Sequence, residues 1–573
     1  VTLKDRMQTA EEFENVVIRI AESGAEIKIK DVADVALGSE NYEAFTRVNG
    51  SDCAILFIYQ APGSNAMNVS AEVKATLERL KADFPDDLDY EISLDTTVPI
   101  KAGMDEIIET LLIALILVVL VVFIFLQDWR ATLIPVLAIP VSLLSSFILF
   151  PLLGFSINSL SLLGLVLAIG IVVDDAIVVV EAVMVNIEKG LSAREATLVA
   201  MKEVTGPVIG TTFVLIAVFI PVSFISGITG KLYQQFAITI AVSVLFSSVN
   251  ALTLSPALSS LILREKKTGK GLMGKFFKSF DKGLEKSGRK YLSVTNIVSR
   301  KLVRSIVFIG IISLLAVFLG FRVPGGFMPD EDQGYFIMNV QLPGASSLSR
   351  TLEAVKQVEA VLAQEESIEY YTSIPGYNLL SGGMSTSTGS LFVTMKDWSE
   401  RDEKVSDIVN RLNYMLYLMV KPANVMAFGP PPIQGLGNGS GFSIMIQDKG
   451  GNSIDYLTAN TMEFIRKANE RPEISHAFTT FRNDVPQRFI SVNREKAMKA
   501  GVSLSELHLT IGAMLGGMYV NDFNRFGRLY RIYLQAEPAY RQNAEQLNSF
   551  FVRNRNFEMI PLSAFVEVEN SIG

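Results

Sequence analysis

The rhythm of apolar and polar positions changes twice along the chain. Over residues 1–105 short apolar runs alternate with polar ones, as in a small mixed α/β unit. Phe13, Val16, Val17 and Ile20 predict a helix over Ala10–Ala21, and Ala66–Ala82 reads as a second amphipathic helix. Ile27–Lys30, Cys53–Tyr59 and Tyr90–Leu94 read as strands. From Ile107 the polar breaks vanish, and six apolar runs follow at 107–126, 132–152, 160–186, 208–228, 236–262 and 304–322. Roughly 20 residues at about 1.5 Å each span about 30 Å of hydrocarbon, so each run suits a membrane helix. Pro135, Pro140, Pro151, Pro221 and Pro256 interrupt them, which membrane helices tolerate. Beyond residue 324 the alternation returns. Strands are predicted at Tyr335–Leu342, Ser390–Met395, Phe442–Gln447, Arg488–Val492 and Leu529–Leu534. Helices are predicted at Leu348–Ala363, Val405–Met419, Ile454–Asn469 and Leu504–Met514. Each polar block therefore reads as an α/β sandwich beside a polytopic helical membrane region.

Loop charge orients the spans. Residues 264–304 hold thirteen Lys or Arg against Glu265, Asp281 and Glu285, which the positive-inside rule places in the cytoplasm. By alternation 127–131 and 186–205 share that side, and both α/β blocks lie on the other, the periplasm of a Gram-negative cell. Leu272–Tyr291 carries Phe276, Phe277, Phe280 and Leu284 at helical spacing and reads as an interfacial helix on the bilayer.

Composition narrows the classes. Among 573 residues 49% are hydrophobic, and the formal net charge of −8 argues against nucleic acid as a partner. Cys53 stands alone, and His476 and His508 are the only histidines. A disulfide, a Cys- or His-based metal site and a Ser/His triad are thereby disfavoured, and no cofactor is expected. The chain opens at Val1 in α/β sequence, so its start is expected upstream.

The candidate chemistry sits in Gly170–Glu181, where Asp174 and Asp175 interrupt the third apolar run. A charged side chain at that depth costs at least ~2.5–3.5 kcal/mol. Two adjacent carboxylates also repel, so one is expected to hold its proton unless a cation lies close. One reading has them face a polar cavity and only hold helices together. The other has them bind and release protons as access alternates across the membrane. An intramembrane aspartyl protease needs two carboxylates facing each other across a water, whereas neighbours on one helix point about 100° apart. A membrane scaffold would explain the α/β blocks but not the carboxylates.

Two Gly-rich stretches, Pro375–Met384 and Phe428–Gly437, carry apolar side chains. They read either as ordinary connecting loops or as flexible walls of a pocket for varied apolar ligands. A weak internal repeat relates Ile27–Val35 to Met559–Val568, as in a two-fold repeated transporter.

The run Gly170–Glu181, with Gln127–Pro135, Pro329–Gly334 and Tyr519–Phe523, resembles the resistance-nodulation-division (RND) superfamily in its AcrB/MexB-type multidrug efflux branch. Metal-ion pumps of that superfamily usually carry one aspartate followed by glycine, so the double Asp favours the organic-substrate branch. The resemblance implies an RND transporter fold, truncated: a polytopic helical membrane protein with periplasmic ferredoxin-like porter and docking domains. It assigns 1–40 to the first docking subdomain, 41–105 to a porter subdomain and 106–263 to spans two to six. It assigns 264–303 to a cytoplasmic basic loop, 304–323 to span seven, 324–487 to further porter subdomains and 488–573 to a second docking and porter region. It implies proton antiport through Asp174 and Asp175, paired in the family with a tenth-helix lysine. Cargo would be hydrophobic or amphiphilic compounds (drugs, bile salts, detergents), with antibiotic resistance the result. The implied assembly is a homotrimer in the inner membrane, with a periplasmic adaptor and an outer-membrane channel protein. The implied substrate positions are Glu43, Leu94, Thr372, Ile374, Phe392, Met426 and Phe428, with Tyr377 and Leu379 in a loop dividing two pockets. An RND relative that moves lipids or assists protein export is the alternative.

Overall fold

The computed structural model describes residues 7–39, 42–265, 272–300, 302–323, 331–431, 433, 442–474 and 476–573. Two compact units emerge: Gln60–Asp89 with Asp95–Pro329, and Val1–Tyr59 with Tyr90–Leu94 and Asp330–Gly573.

At the start, helix α1 covers only Ala10–Glu14, and strand β1 (Val17–Ile20) pairs antiparallel with β2 (Glu26–Lys28). The helix expected over Ala10–Ala21 therefore stops early. Thr9 and Glu12 cap its first turn, but Asn15 folds its amide back onto the Glu11 carbonyl, and the β-branched Val17 and Ile18 enter the hairpin. Strands β3 (Arg47–Val48) and β4 (Ser51–Asp52) follow. The strands expected at Cys53–Tyr59 and Tyr90–Leu94 are not formed. No strand among the described residues pairs with either segment, and Leu56 and Tyr59 stay more than four-fifths exposed.

In the second segment of the chain, α2 spans Ala66–Lys81 and leads to the apolar helices α3 (Val98–Leu126), α4 (Trp129–Ser146) and the short α5 (Phe150–Leu153). Then come α6 (Ser159–Glu188), α7 (Ala193–Val222), α8 (Gly227–Leu252), α9 (Leu254–Ile262), α10 (Leu272–Arg300) and α11 (Leu302–Gly320). With α4 and α5 counted as one span and α8 and α9 as another, six spans among the described residues are long and apolar enough to cross a membrane. The motif Gln127–Pro135 makes the α3–α4 turn. Gln127 takes a left-handed conformation at φ 56°, and Asp128 accepts from the backbone N–H groups of Arg130 and Ala131. Helix α7 begins earlier than its apolar run, because Ser192 and Glu195 form a reciprocal cap. Helices α6 and α8 approach closely at Gly164, where an added Cβ would stand 3.2 Å from the Phe236 carbonyl oxygen.

The other unit is built around β5 (Tyr335–Gln341), α12 (Leu348–Leu362), β6 (Ile368–Asn378), β7 (Gly383–Met395), α13 (Val405–Met419) and β8 (Asn424–Phe428). The antiparallel sheet runs β4-β3-β6-β7-β5-β8. Alternation sends Phe336, Met338, Val340, Leu391 and Val393 to one face, where they meet Val355, Val358, Ile408 and Leu412 of α12 and α13. Burying each such side chain contributes about 1.5–3 kcal/mol. The expected loop Pro375–Met384 is mostly hairpin. Strand β6 reaches Asn378, β7 starts at Gly383, and the Asn378 side chain accepts from Leu380 and Ser381. Phe428 ends β8, and half of the second Gly-rich stretch lies outside the described residues.

Helix α14 (Ile454–Asn469) matches its periodicity, whereas Phe442–Gln447 forms no strand, with Met445 94% exposed. Strand β9 (Pro486–Val492) leads to α15 (Arg494–Lys499) and α16 (Leu504–Ile511), then to the hairpin β10 (Met518–Arg525) and β11 (Arg528–Leu534). Strands β12 (Phe551–Arg553) and β13 (Met559–Pro561) pair, and β14 (Val566–Ile572) returns to β9. The repeat read in the sequence has a common shape. Glu26–Lys28 runs into a tight helical turn at Ile29–Asp31, and Met559–Pro561 runs into one at Leu562–Ala564.

Candidate functional site

In the helical unit, Asp174 and Asp175 lie near the middle of α6 and point apart, as adjacent helical residues must. Asp175 is half-buried against α8. The Ser247 hydroxyl lies 2.8 Å from its Oδ2 and 3.0 Å from the Val172 carbonyl oxygen. One turn further along α8, Asn250 donates to Ser142 of α4 at 2.7 Å, and Ser142 reaches the Ala138 carbonyl at 2.9 Å. These side chains form a thin polar seam through three apolar helices. Sequence reading missed Ser247, Asn250 and Ser142. Their signal was small polar residues three apart in an apolar span, the kind that face helix neighbours in membranes.

Asp174 is exposed. It sits on a stripe of exposed α6 positions, Leu163, Leu167, Gly170, Val178 and Glu181, repeating at three and four residues. A shallow apolar groove of about 480 Å³ between α3 and α6 ends at Gly170, one turn from Asp174. Among the described residues neither aspartate makes an ion pair.

In the α/β unit the sheet brings five of the expected substrate positions onto the face away from α12 and α13. Cross-strand pairing aligns Thr372, Phe392, Ile337 and Phe428 in one row. Ile374, Ser390, Asn339 and Met426 form the next. Ser93 crosses this face, accepting from Thr372 at 2.8 Å and from Thr394 at 2.6 Å, which places Leu94 at its border. The Phe57 ring stands 6.0 Å from that of Phe392. Glu43 is exposed, but its backbone packs on Gly376. A Cβ there would stand 1.9 Å from the Glu43 carbonyl oxygen, and Gly376 takes φ +95°. Tyr377 and Leu379 lie at the β6–β7 hairpin, clipped by Ser390, which accepts from the Leu379 N–H and donates to the Tyr377 carbonyl. Ile337 and Asn339 were not among the expected positions. Asn339 is 8% exposed, and its Oδ1 is buried with no hydrogen-bond partner among the described residues.

The motif Pro329–Gly334 has a structural role at Asp332. Its carboxylate takes both Arg401 Nη atoms at 2.7 and 2.8 Å and the Val405 N–H at 3.0 Å, joining β5 to the start of α13.

Known proteins resemble the chain throughout. It is 35% identical over 577 residues to the multidrug/solvent efflux pump membrane transporter MepB of Pseudomonas putida, covering 100% of this chain and 55% of that protein. It is 35% identical over 577 residues to the toluene efflux pump membrane transporter TtgB of the same species, again covering 100% and 55%. It is 36% identical over 580 residues to the multidrug resistance protein MdtF of Escherichia coli (strain K12), covering 100% and 56%. The chain thus spans about half the length of the curated relatives it matches. Residues 1–573 also match the AcrB/AcrD/AcrF family without remainder. A match of that extent, over six apolar spans and their α/β companion, shows a multi-pass membrane protein that belongs to the AcrB/AcrD/AcrF family of RND transporters.

Proposed function

We propose that this chain is part of a proton-driven antiporter that exports hydrophobic or amphiphilic compounds. The observation that carries the reading is the Asp174–Asp175 pair in mid-span, one carboxylate exposed on α6 and the other bonded to Ser247 of α8. Protons are the coupling ion. Protonating the pair removes the charge that holds a cation supplied from outside these residues, and the helices then shift. The relatives' names, which include multidrug, solvent and toluene efflux, support export of apolar organic compounds and not an enzymatic reaction.

The helix-free sheet face, with Thr372, Ile374, Phe392, Met426 and Phe428, is the proposed substrate surface, bordered by Glu43, Leu94, Tyr377 and Leu379. Mixed Thr, Ile, Met and Phe side chains suit ligands of varied shape. The β5-α12-β6-β7-α13-β8 run, in order β8-β5-β7-β6, supports a ferredoxin-like porter subdomain. The basic 264–304 segment supports an inner-membrane orientation with the α/β unit in the periplasm. A homotrimer served by a periplasmic adaptor and an outer-membrane channel completes the reading.

Asp174→Asn and Asp175→Asn in the complete transporter test it. Both variants are expected to assemble and insert as the parent does while losing efflux of a fluorescent amphiphile from cells. Substantial efflux in both would overturn the proposal.

A further inference from the structure

Helix α10 carries a feature outside the proposed transport site. Lys275, Lys278, Lys282, Lys286, Arg289 and Lys290 recur at three and four residues, so they share one side of the helix, and all six are exposed. Phe276, Phe277, Phe280, Leu284, Tyr291, Val294 and Val298 recur on the opposite side. Asp281 and Glu285 are the only acids among these turns, and Asp281 is engaged by the Gln127 amide at 2.6 Å.

The apolar side fixes the depth of the helix. The rings of Phe277 and Phe280 meet Phe123 and Phe125 edge-on, with centroids 6.0 and 5.3 Å apart. Phe123 and Phe125 sit in the last turn of α3, just before the polar Gln127–Asp128 turn that ends the span. Helix α10 therefore lies at the boundary between hydrocarbon and headgroups. Phe276, Leu284, Tyr291 and Val294 remain exposed, as side chains reaching into acyl chains would be. The lysine stems can run up past this layer and leave their ammonium groups at headgroup level.

We propose that this six-cation stripe binds anionic phospholipid headgroups, so that α10 selects acidic lipids around the transporter. Charge complementarity names the occupant. A basic row at headgroup level beside an apolar row at acyl-chain level matches an acidic bilayer surface on both counts, whereas a soluble polyanion would leave the apolar row in water.

The test uses the complete transporter in nanodiscs of phosphatidylcholine mixed with phosphatidylglycerol, counting the lipids retained after gentle extraction by native mass spectrometry. The parent is expected to retain phosphatidylglycerol in preference to phosphatidylcholine. Replacing Lys275, Lys278, Lys282 and Lys286 together by Gln is expected to reduce that preference about tenfold, and replacing them by Arg to preserve it. Raising salt should weaken the parent's preference, a readout that stands even if the Gln variant does not fold. Equal retention of the two lipids by the parent, an unchanged preference in the Gln variant, or no response to salt would overturn the proposal. Binding of acidic protein or nucleic acid without any lipid preference would overturn it as well.

Discussion

Ser247 stands within hydrogen-bond reach of two acceptors on α6, the Asp175 carboxylate at 2.8 Å and the Val172 carbonyl at 3.0 Å. A hydroxyl has one proton to give, so it serves one of them at a time. While Asp175 is ionised, the carboxylate takes it. Once Asp175 is protonated, its own O–H donates to Ser247, and the serine proton turns to Val172. The charge state of α6 is thereby written into a contact with α8. Ser247→Ala removes that link and is expected to cut efflux by on the order of tenfold without loss of assembled protein. Ser243 is the control, a buried serine one turn away whose hydroxyl donates to the Thr239 carbonyl of its own helix at 2.8 Å. Comparable efflux losses in Ser247→Ala and Ser243→Ala would show that packing, not the link to Asp175, is at stake.

The sheet edge depends on a second long-range pair. Arg47 Nε lies 3.2 Å from Glu359 Oε1, and the Ser373 hydroxyl donates to the same oxygen at 2.5 Å, with Arg47 and Glu359 side chains 11% and 6% exposed. Breaking a buried pair strands the surviving charge and typically costs about 3–5 kcal/mol. Glu359→Ala is expected to destabilise by about 3 kcal/mol, because Arg47 keeps Asp52 as a second partner. The damage should be local, since Arg47 and Val48 pair with Ser373 and Thr372. Hydrogen exchange at the Val48 amide should accelerate well beyond that at Met338 in the sheet centre. Uniform protection in the variant would refute this account.

Acid sensitivity should arise partly at Asp95, ahead of the first membrane helix. Burial pushes its carboxyl up, but the Lys74 ammonium at 2.6 Å, the Thr97 hydroxyl and N–H, and the Ser70 hydroxyl outweigh it and hold it at about 2. An unfolded aspartate titrates at ~3.9. The folded value is the lower one, so the stabilisation is complete above about pH 5 and fades as pH falls toward 2. Burial pushes the Asp332 carboxyl up as well, but Arg401 and the Val405 and Gly334 N–H groups hold it below the usual range, so it acts in the same direction. The stability gap between the parent and Asp95→Asn is therefore expected to be flat near neutrality and to close on acidification. A gap that widens in acid would contradict the assignment.

How far the sequence reached is clear from particular residues. The apolar runs located every span, but α3, α7 and α8 each begin two or more turns ahead of their runs, at Val98, Ala193 and Gly227. Ser192 and Glu195 pull α7 back to Ala193, a start that hydropathy alone places near 208. The carboxylates were legible because charge inside an apolar run is conspicuous. Their neighbour Ser247 was not, because the rotation of α8 against α6 depends on packing at sites such as Gly164. On the sheet, the alternation of β5 sorts Phe336 from Ile337, but only the strand order shows that Ile337 lies between Phe392 and Phe428. Helix period misled at Val17 and Ile20, where β-branched residues with a nearby partner strand form β1 instead.

Asn339 offers the sharpest probe of the proposed substrate surface. Its carbonyl oxygen is buried with no hydrogen-bond donor among the described residues, a situation that costs about 1–3 kcal/mol. Its row-mates Ser390 and Met426 leave the group on the helix-free face, where a bound compound carrying an N–H or O–H could supply the missing bond. Asn339→Leu keeps a similar branched shape and removes the orphaned acceptor. The variant is expected to unfold at higher denaturant, by about 1 kcal/mol, and still to export purely apolar compounds. Export of amphiphiles that present a donor should fall several-fold relative to apolar ones, since a polar site discriminates by the bonds it can complete. Lower stability in Asn339→Leu would mean that the oxygen is already bonded in the folded protein. An unchanged ratio between the two compound classes would remove Asn339 from the substrate surface.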